Sequence, residues 1–423
     1  MDYFKYKDGK LHAEDLPLET IAAKVGTPFY CYSANSLRKN YRDYVKSFAG
    51  CNALIAFALK ANSNQAILKL LANEGAGADV VSQGELRRAL AAGIIPQKIV
   101  YSGVGKTIEE MDYALSQGIY CFNVESEPEL IQLSQRATAM GKVAPVSIRI
   151  NPDVDAKTHK KISTGKSENK FGIPLKNARE TYNMASSLQG LVIRGVDVHI
   201  GSQICDLEPF DSAFAITADL VRQLKNDGHD LHHVDVGGGL GISYRFDNDP
   251  PPSTDDYATI VKKHIAPLGV KIICEPGRHI AGNAGMLVTS VIYLKEGDGR
   301  NFLIVDGAMN DLIRPTLYDA WHMIMPVNQP KPSDEFIRAD IVGPVCETGD
   351  YLGLDRIVPK LGPHDLLAVA GAGAYGAAMS STYNTRLLVP EVLVNDNEFA
   401  IIRRRPTYEE LLALDNVPDY LNI

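Results

Sequence analysis

The residues of this chain that could do chemistry stand where apolar runs stop. The run Ala53–Leu59 has the length and composition of a buried strand, and it ends in Lys60 and the turn Ala61-Asn62. A lysine so placed has its stem held by packing and its amine presented at the rim of whatever the strand lines. Most strand-end lysines simply reach out to water. One whose ammonium is disfavoured by burial can instead attack a carbonyl, the reactivity an aldehyde cofactor needs. The same placement recurs along the chain. Asp79 lies within a short apolar run and Arg149 ends another. His199, followed by Gly201 and Ser202, ends a third. Gly237-Gly238-Gly239 follows a fourth, and Glu275-Pro276-Gly277-Arg278 a fifth.

Each of these residues has an ordinary reading beside its chemical one. A glycine turn bares backbone N–H groups that can cradle a phosphate, although many turns carry glycines for conformation alone. Ser202 offers a hydroxyl donor to the same anion. Glu275 can hold a proton on a pyridine nitrogen and keep the ring an electron sink, or it can pair with Arg278. His199 can lie against a ring face or be a structural histidine. Together the parts suit pyridoxal 5'-phosphate. Further along, Gly343-Pro344-Val345-Cys346-Glu347-Thr348-Gly349-Asp350 puts a cysteine between a proline-containing turn and two acids, a setting for an acid that protonates a carbanion. Arg314-Pro315-Thr316-Leu317-Tyr318 supplies an arginine whose planar fork suits a carboxylate.

The elements that must position these residues follow a regular pattern. Strand-like runs occur at 53–59, 78–81, 98–101, 119–123, 144–150, 192–199, 232–236 and 270–274, with helical stretches between them, for instance 82–92, 107–117, 127–140, 175–187 and 209–226. Alternation of strand and helix predicts parallel pairing, and eight such units are what a (β/α)8 TIM barrel requires. An open doubly wound sheet also alternates, but no Gly-rich dinucleotide fingerprint follows the first strand. In a barrel all the loaded residues would meet on the rim at the C-terminal strand ends. The expected organisation is α/β plus β: residues 1–27 as a short N-terminal segment packing with the C-terminal domain, 28–280 as the barrel, and 281–423 as a mostly antiparallel β domain with a short closing helix at 408–414. The polar stretch 151–172 leaves the fifth strand and reads equally as a lid or as a surface excursion.

Composition narrows the function. The 423 residues are 45% hydrophobic and 22% charged with a net charge of −8, enough for large cores and nothing like a nucleic-acid binder. No apolar run is long enough to span a bilayer, and the N-terminus lacks the apolar stretch of a signal peptide. The six cysteines are scattered, with no metal-type pairing, which suits a reducing, cytoplasmic setting and no bound metal.

The motifs F-A-L-K-A-N around Lys60, G-A-D-V-V-S around Asp79, H-I-G-S-Q from His199, D-V-G-G-G-L-G from Asp235, E-P-G-R from Glu275, M-N-D-L-I-R-P from Met309 and G-P-V-C-E-T-G-D from Gly343 cover nearly the whole chain. By them the chain resembles the fold-type III pyridoxal-phosphate decarboxylases, most closely members that convert meso-2,6-diaminopimelate to L-lysine and CO2; relatives acting on ornithine, arginine or carboxynorspermidine are the alternative. The resemblance implies an alanine-racemase-like barrel with a C-terminal β domain, working as a homodimer with shared active sites. It implies that Lys60 forms the Schiff base with the cofactor and that His199 stacks on its ring. Ser202, Gly238, Gly239, Glu275, Gly277 and Arg278 would hold the cofactor, Glu275 at the pyridine nitrogen. Arg278, Arg314, Tyr318 and Glu347 would contact substrate, Tyr375 would touch both, and Cys346 would donate a proton from the partner subunit. Two departures are Thr348, where the family often has serine, and the basic run His159-Lys160-Lys161.

Overall fold

The computed structural model describes residues 3–165, 169–245 and 250–421. It divides the chain into two units: Leu37–Gly282, and Met1–Ser36 together with Asn283–Ile423.

The first unit is the barrel. Its strands are β1 (Ala53–Ala58), β2 (Gly77–Val80), β3 (Ile99–Tyr101), β4 (Cys121–Val124), β5 (Ala144–Asn151), β6 (Leu191–Asp197), β7 (His233–Asp235) and β8 (Lys271–Cys274). Each pairs in parallel with the next, and β8 pairs with β1, closing the sheet. The strands are apolar almost without interruption because both faces are covered: helices lie outside, and inside Leu54, Ala56, Val100, Cys121 and Ile273 pack together. Each falls within a residue or two of its expected position. Several of the barrel helices begin where a polar side chain caps them. Asn64 accepts from the N–H of Ala66, Ser82 from that of Glu85 and Ser126 from that of Glu129, while Thr107 and Glu110 cap each other reciprocally. Each cap contributes about 1 kcal/mol and stops the strand-to-helix turn at a defined residue. That is how the loops over the C-terminal rim get their lengths.

The stretch 151–172 is tied to that rim. Ile200 O accepts from the N–H of Thr164, His199 O from its hydroxyl, and Ile162 O from the N–H of Ser202. At its far end the N–H of Gly172 donates to Glu125 Oε2 at 3.1 Å. Residues 166–168 and the Lys160 side chain, within the stretch expected to be a lid or an excursion, lie outside the described residues.

The second unit is built on one large sheet. Seven of its nine described strands run in the order Tyr351–Pro359, Phe336–Val342, Arg300–Val305, Gly285–Gly297, Phe29–Ser33, Glu391–Asn395 and Glu398–Arg403, while Leu366–Val369 also pairs with Gly285–Gly297 and carries Ile324–Pro326 on its other side. Phe29–Ser33, placed with the barrel in the sequence reading, is instead a central strand here, between Gly285–Gly297 and Glu391–Asn395. All five of its residues are buried, which its composition, Phe-Tyr-Cys-Tyr-Ser, makes favourable. The sheet is also less antiparallel than expected. Arg300–Val305 runs parallel to Phe336–Val342, and Glu391–Asn395 parallel to Phe29–Ser33. The N-terminal segment is a hairpin, Phe4–Lys7 against Lys10–Ala13, turned by Asp8-Gly9, both at positive φ as a two-residue hairpin turn demands.

Candidate active site

In the barrel unit the loaded residues do fall at the C-terminal strand ends. Lys60 lies two residues past β1, and its amine pairs with Asp79 Oδ2, in β2, at 2.8 Å. Asp79 is fully buried and its other oxygen has no partner, whereas Lys60 keeps 34% of its side chain exposed. A buried carboxylate thus holds an amine that faces the rim. The sequence places Asp79 on that rim but does not make it Lys60's partner.

Glu275 follows β8 directly and is buried. Its contacts from Ser102 Oγ and Asn123 Nδ2 are long, 3.5 Å each. Burial, then the charges of Asp235, Asp79 and Asp197, push its carboxyl well above the ordinary range. Asp235, at the end of β7, is pushed up to about 7, chiefly by burial and against hydrogen bonds from Gly237, Glu275 and Asn123. Two carboxyls in one buried network cannot both ionise cheaply, so the pair retains a proton. The Glu275–Arg278 ion pair, the ordinary reading of these residues, is not how Arg278 is engaged. Its Nε and Nη2 donate to Ser202 Oγ at 3.2 and 3.0 Å, and its Nη1 to the Tyr244 hydroxyl at 2.6 Å.

His199 lies two residues past β6. Its Nδ1 accepts from the N–H of Gly238 at 3.2 Å, which leaves the proton on Nε2. Burial, with the positive charges of Arg149 and Lys60, lowers its pKa well below the ordinary value, so the ring is neutral. Arg149, in β5, donates to Glu125 Oε1 at 3.0 Å and lies 4.0 Å from Asp197. Burial opposes its charge, but those carboxylates outweigh burial and hold the guanidinium above its usual value.

The glycines answer for shape. A Cβ on Gly238 would sit 2.3 Å from the Glu275 carbonyl oxygen, and one on Gly239 would sit 2.6 Å from that of Gly201. A Cβ on Gly277 would meet those of Ala61 and Ala58 at 2.9 and 3.1 Å. The turn after β7 is therefore pressed between the ends of β6 and β8. Two of its amides are committed inside the protein, Gly237 to Asp235 Oδ1 and Gly238 to His199 Nδ1.

These observations suit pyridoxal phosphate. The protonated buried carboxyl pair matches a ring nitrogen that shares a proton. A neutral imidazole matches a ring face. The Ser202 hydroxyl and Arg278 guanidinium match a phosphate. Lys60 is the amine at hand for the aldehyde.

The β unit holds the remaining predicted residues. Arg314 is buried at the start of a short helix, Arg314–Tyr318, with its guanidinium 5.8 Å from the Tyr318 ring. Its Nε donates to His322 Nε2 at 3.3 Å, and His322 Nδ1 bonds to Ala370 O at 2.8 Å, which fixes the imidazole tautomer. Tyr375 is half-buried in left-handed backbone at φ 56°, a strained conformation for a side-chain-bearing residue. Cys346 and Glu347 are exposed on a loop. Asp350, which sequence reasoning passed over, closes that loop: its carboxylate accepts from the N–H groups of Met309 and Val345, both at 2.6 Å. Its place at the end of the cysteine motif was the available signal.

Comparison with known proteins agrees with this arrangement. Residues 34–282 match the family model described as pyridoxal-dependent decarboxylase, pyridoxal binding domain. Diaminopimelate decarboxylase of Zymomonas mobilis is 48% identical over 421 residues, covering 99% of each chain, and that of Pseudomonas aeruginosa is 50% identical over 414 residues, covering 98% of each. Among solved structures, diaminopimelate decarboxylase from M. jannaschii in co-complex with L-lysine superposes with a TM-score of 0.94 at 37% identity, covering 99% of each chain. The Helicobacter pylori enzyme complexed with L-lysine gives 0.90 at 44% identity, over 94% of this chain and 98% of that one. With a family model spanning more than half of the sequence and near-full-length relatives at about half identity, the chain belongs to the diaminopimelate decarboxylase family of pyridoxal-dependent decarboxylases.

Proposed function

We propose that this chain decarboxylates meso-2,6-diaminopimelate to L-lysine and CO2 with pyridoxal phosphate held in the barrel, as the last step of lysine biosynthesis. The observation that carries the reading is Lys60, paired to buried Asp79 at the barrel rim, with the buried carboxyls of Asp235 and Glu275 at the ends of β7 and β8. Pyridoxal phosphate, when bound, supplies an aldehyde that captures an amine and a ring that takes up the electrons CO2 leaves behind. The protein's own groups do the rest. Lys60 anchors the aldehyde and gives way to substrate. Glu275 keeps a proton at the ring nitrogen. His199, neutral, covers the ring without adding a competing charge. Ser202, Gly239 and Arg278 would hold the phosphate end, and Gly238 and Gly277 would shape the turns around the cofactor, the Gly238 amide being already given to His199 Nδ1.

Substrate selection falls to groups suited to a second amino-acid head. Diaminopimelate carries a distal carboxylate as well as a distal amine. Arg278 and Arg314 suit the carboxylate and Glu347 the amine, and Tyr318 and Tyr375 are the further substrate contacts of this reading. A buried charge left unpaired costs several kcal/mol, enough to exclude simpler amino acids. Cys346 returns the proton to the carbon that lost CO2. In this reading the working form is a cytoplasmic homodimer in which Cys346 reaches the site of the other copy. No described helix is long and apolar enough to cross a membrane.

The test is incubation of the holoenzyme with meso-2,6-diaminopimelate, and in parallel with ornithine, arginine and carboxynorspermidine, scoring CO2 and lysine. Lysine from the first alone is expected. Turnover of another substrate without lysine would overturn the assignment.

A further inference from the structure

We infer that Asn384 is a positioning residue for Cys346, and that the turn carrying it is a clamp that sets the proton-donating loop. This rests on Cys346 being the proton donor. Cys346, Glu347 and Thr348 are all exposed, so no core packing fixes the cysteine itself. One flank is held: the N–H of Val345 donates to Asp350. The amide of Cys346 is held from a different place in the sequence, donating to Asn384 Oδ1 at 3.0 Å.

The backbone around Asn384 is unusual. Asn384 and Thr385 are successive residues in the left-handed region, at φ 54° and 57°. Asparagine tolerates that conformation and a β-branched threonine does not, so the two persist only where the surroundings impose them. The surroundings do impose them, because Asn310, itself buried, grips both ends of the turn. Its carbonyl accepts from the N–H of Ser381 at 2.9 Å, and its Nδ2 donates to Ser381 O at 3.0 Å. Its Oδ1 accepts from Arg386 Nε at 2.9 Å, and Arg386 also bonds to Asp311 and to Asp306 O. Between these two fixed points Asn384 and Thr385 take their left-handed conformations.

That curl aims two adjacent side chains at the cysteine loop. Asn384 meets the Cys346 amide, and Tyr383 faces Glu347, where a hydrogen bond to the carboxylate, then its charge, raises the phenol above its ordinary value. An asparagine serving only its own turn would bond to neighbouring backbone. This one reaches a residue 38 positions away. The acceptor thereby fixes the Cys346 backbone, and with it the direction from which the thiol approaches its target.

The experiment uses the holoenzyme with Asn384→Gly, which keeps the left-handed backbone and removes the acceptor, and Asn384→Asp, which keeps an acceptor. In Asn384→Gly kcat should fall roughly tenfold to a hundredfold with KM little changed, the usual cost of a slightly misplaced reacting group. Cofactor absorbance should be unchanged, and the alkylation rate of Cys346, followed by peptide mass mapping, should shift. Asn384→Asp should restore both kcat and alkylation. Wild-type kcat and alkylation in a folded Asn384→Gly would overturn the inference, as would a folded Asn384→Asp as impaired as the glycine variant. Cys346→Ala separates the two levels. If it retains full activity, the proton-donor reading fails, while the alkylation rates still decide whether Asn384 positions the cysteine.

Discussion

Lys60 and Cys346, the two residues assigned to bond making and proton return, are held in opposite ways. Lys60 stands at the end of a strand buried on both faces, next to a carboxylate with no exposure at all. Closing the barrel fixes both, because β1 and β2 are neighbours in register, Ala58 opposite Asp79. Cys346 stands exposed on a loop, and its place depends on individual hydrogen bonds, from the Val345 N–H to Asp350 and from its own N–H to Asn384 Oδ1. A barrel supplies preorganisation as a by-product of folding, whereas a loop must borrow it bond by bond. The cost of losing a contact should therefore differ between the two regions in both size and reach.

The largest expected effect is at Lys60. Lys60→Ala should abolish both the cofactor's visible absorbance and lysine production, and it should lower stability by stripping the cation from buried Asp79. Retained absorbance with the cofactor in excess would break the assignment of the anchor. Next is Arg149→Met, which removes the partner of Glu125 and Asp197. Breaking a buried ion pair typically costs about 3–5 kcal/mol, measurable as a drop in denaturant midpoint. A loss below about 1 kcal/mol would mean that the barrel interior relaxes far more easily than its packing implies. The smallest is Asp350→Asn in the β unit. It replaces one of two acceptor oxygens by a donor facing an N–H and should cost about 1–3 kcal/mol. Hydrogen exchange should accelerate at Met309 and Val345 while cofactor absorbance holds. Exchange spreading into the central strand Phe29–Ser33 would blur the contrast, because it would show the loop coupled to the sheet as a whole.

Much of the barrel was legible in the sequence because its strands are short, mostly apolar and separated by helices, several of them capped by a polar side chain. The residues at strand ends were legible for the same reason: a charge that interrupts an apolar run has few places to go. The β unit was less so. Tyr351–Pro359, for example, is an edge strand carrying Gly353, Asp355 and Arg356, which leave a weak apolar pattern. Phe29–Ser33 has the composition of a strand, but its partners lie more than 250 residues away, at 285–288 and 391–394. No local signal names a partner at that separation.

The sequence by itself determined which residue types stand at the ends of which strands, and therefore that a lysine, a histidine, a glycine turn and a glutamate share one rim. Local propensity and the period of apolar residues suffice for that. Only the tertiary structure decided how those groups are paired: Lys60 with Asp79, Glu275 with Asp235, His199 with the Gly238 amide, Arg278 with Ser202 and Tyr244, Cys346 with Asn384. Pairing is a matter of a few ångströms between side chains distant in sequence. In a buried site those few ångströms decide which group keeps its proton and which keeps its charge.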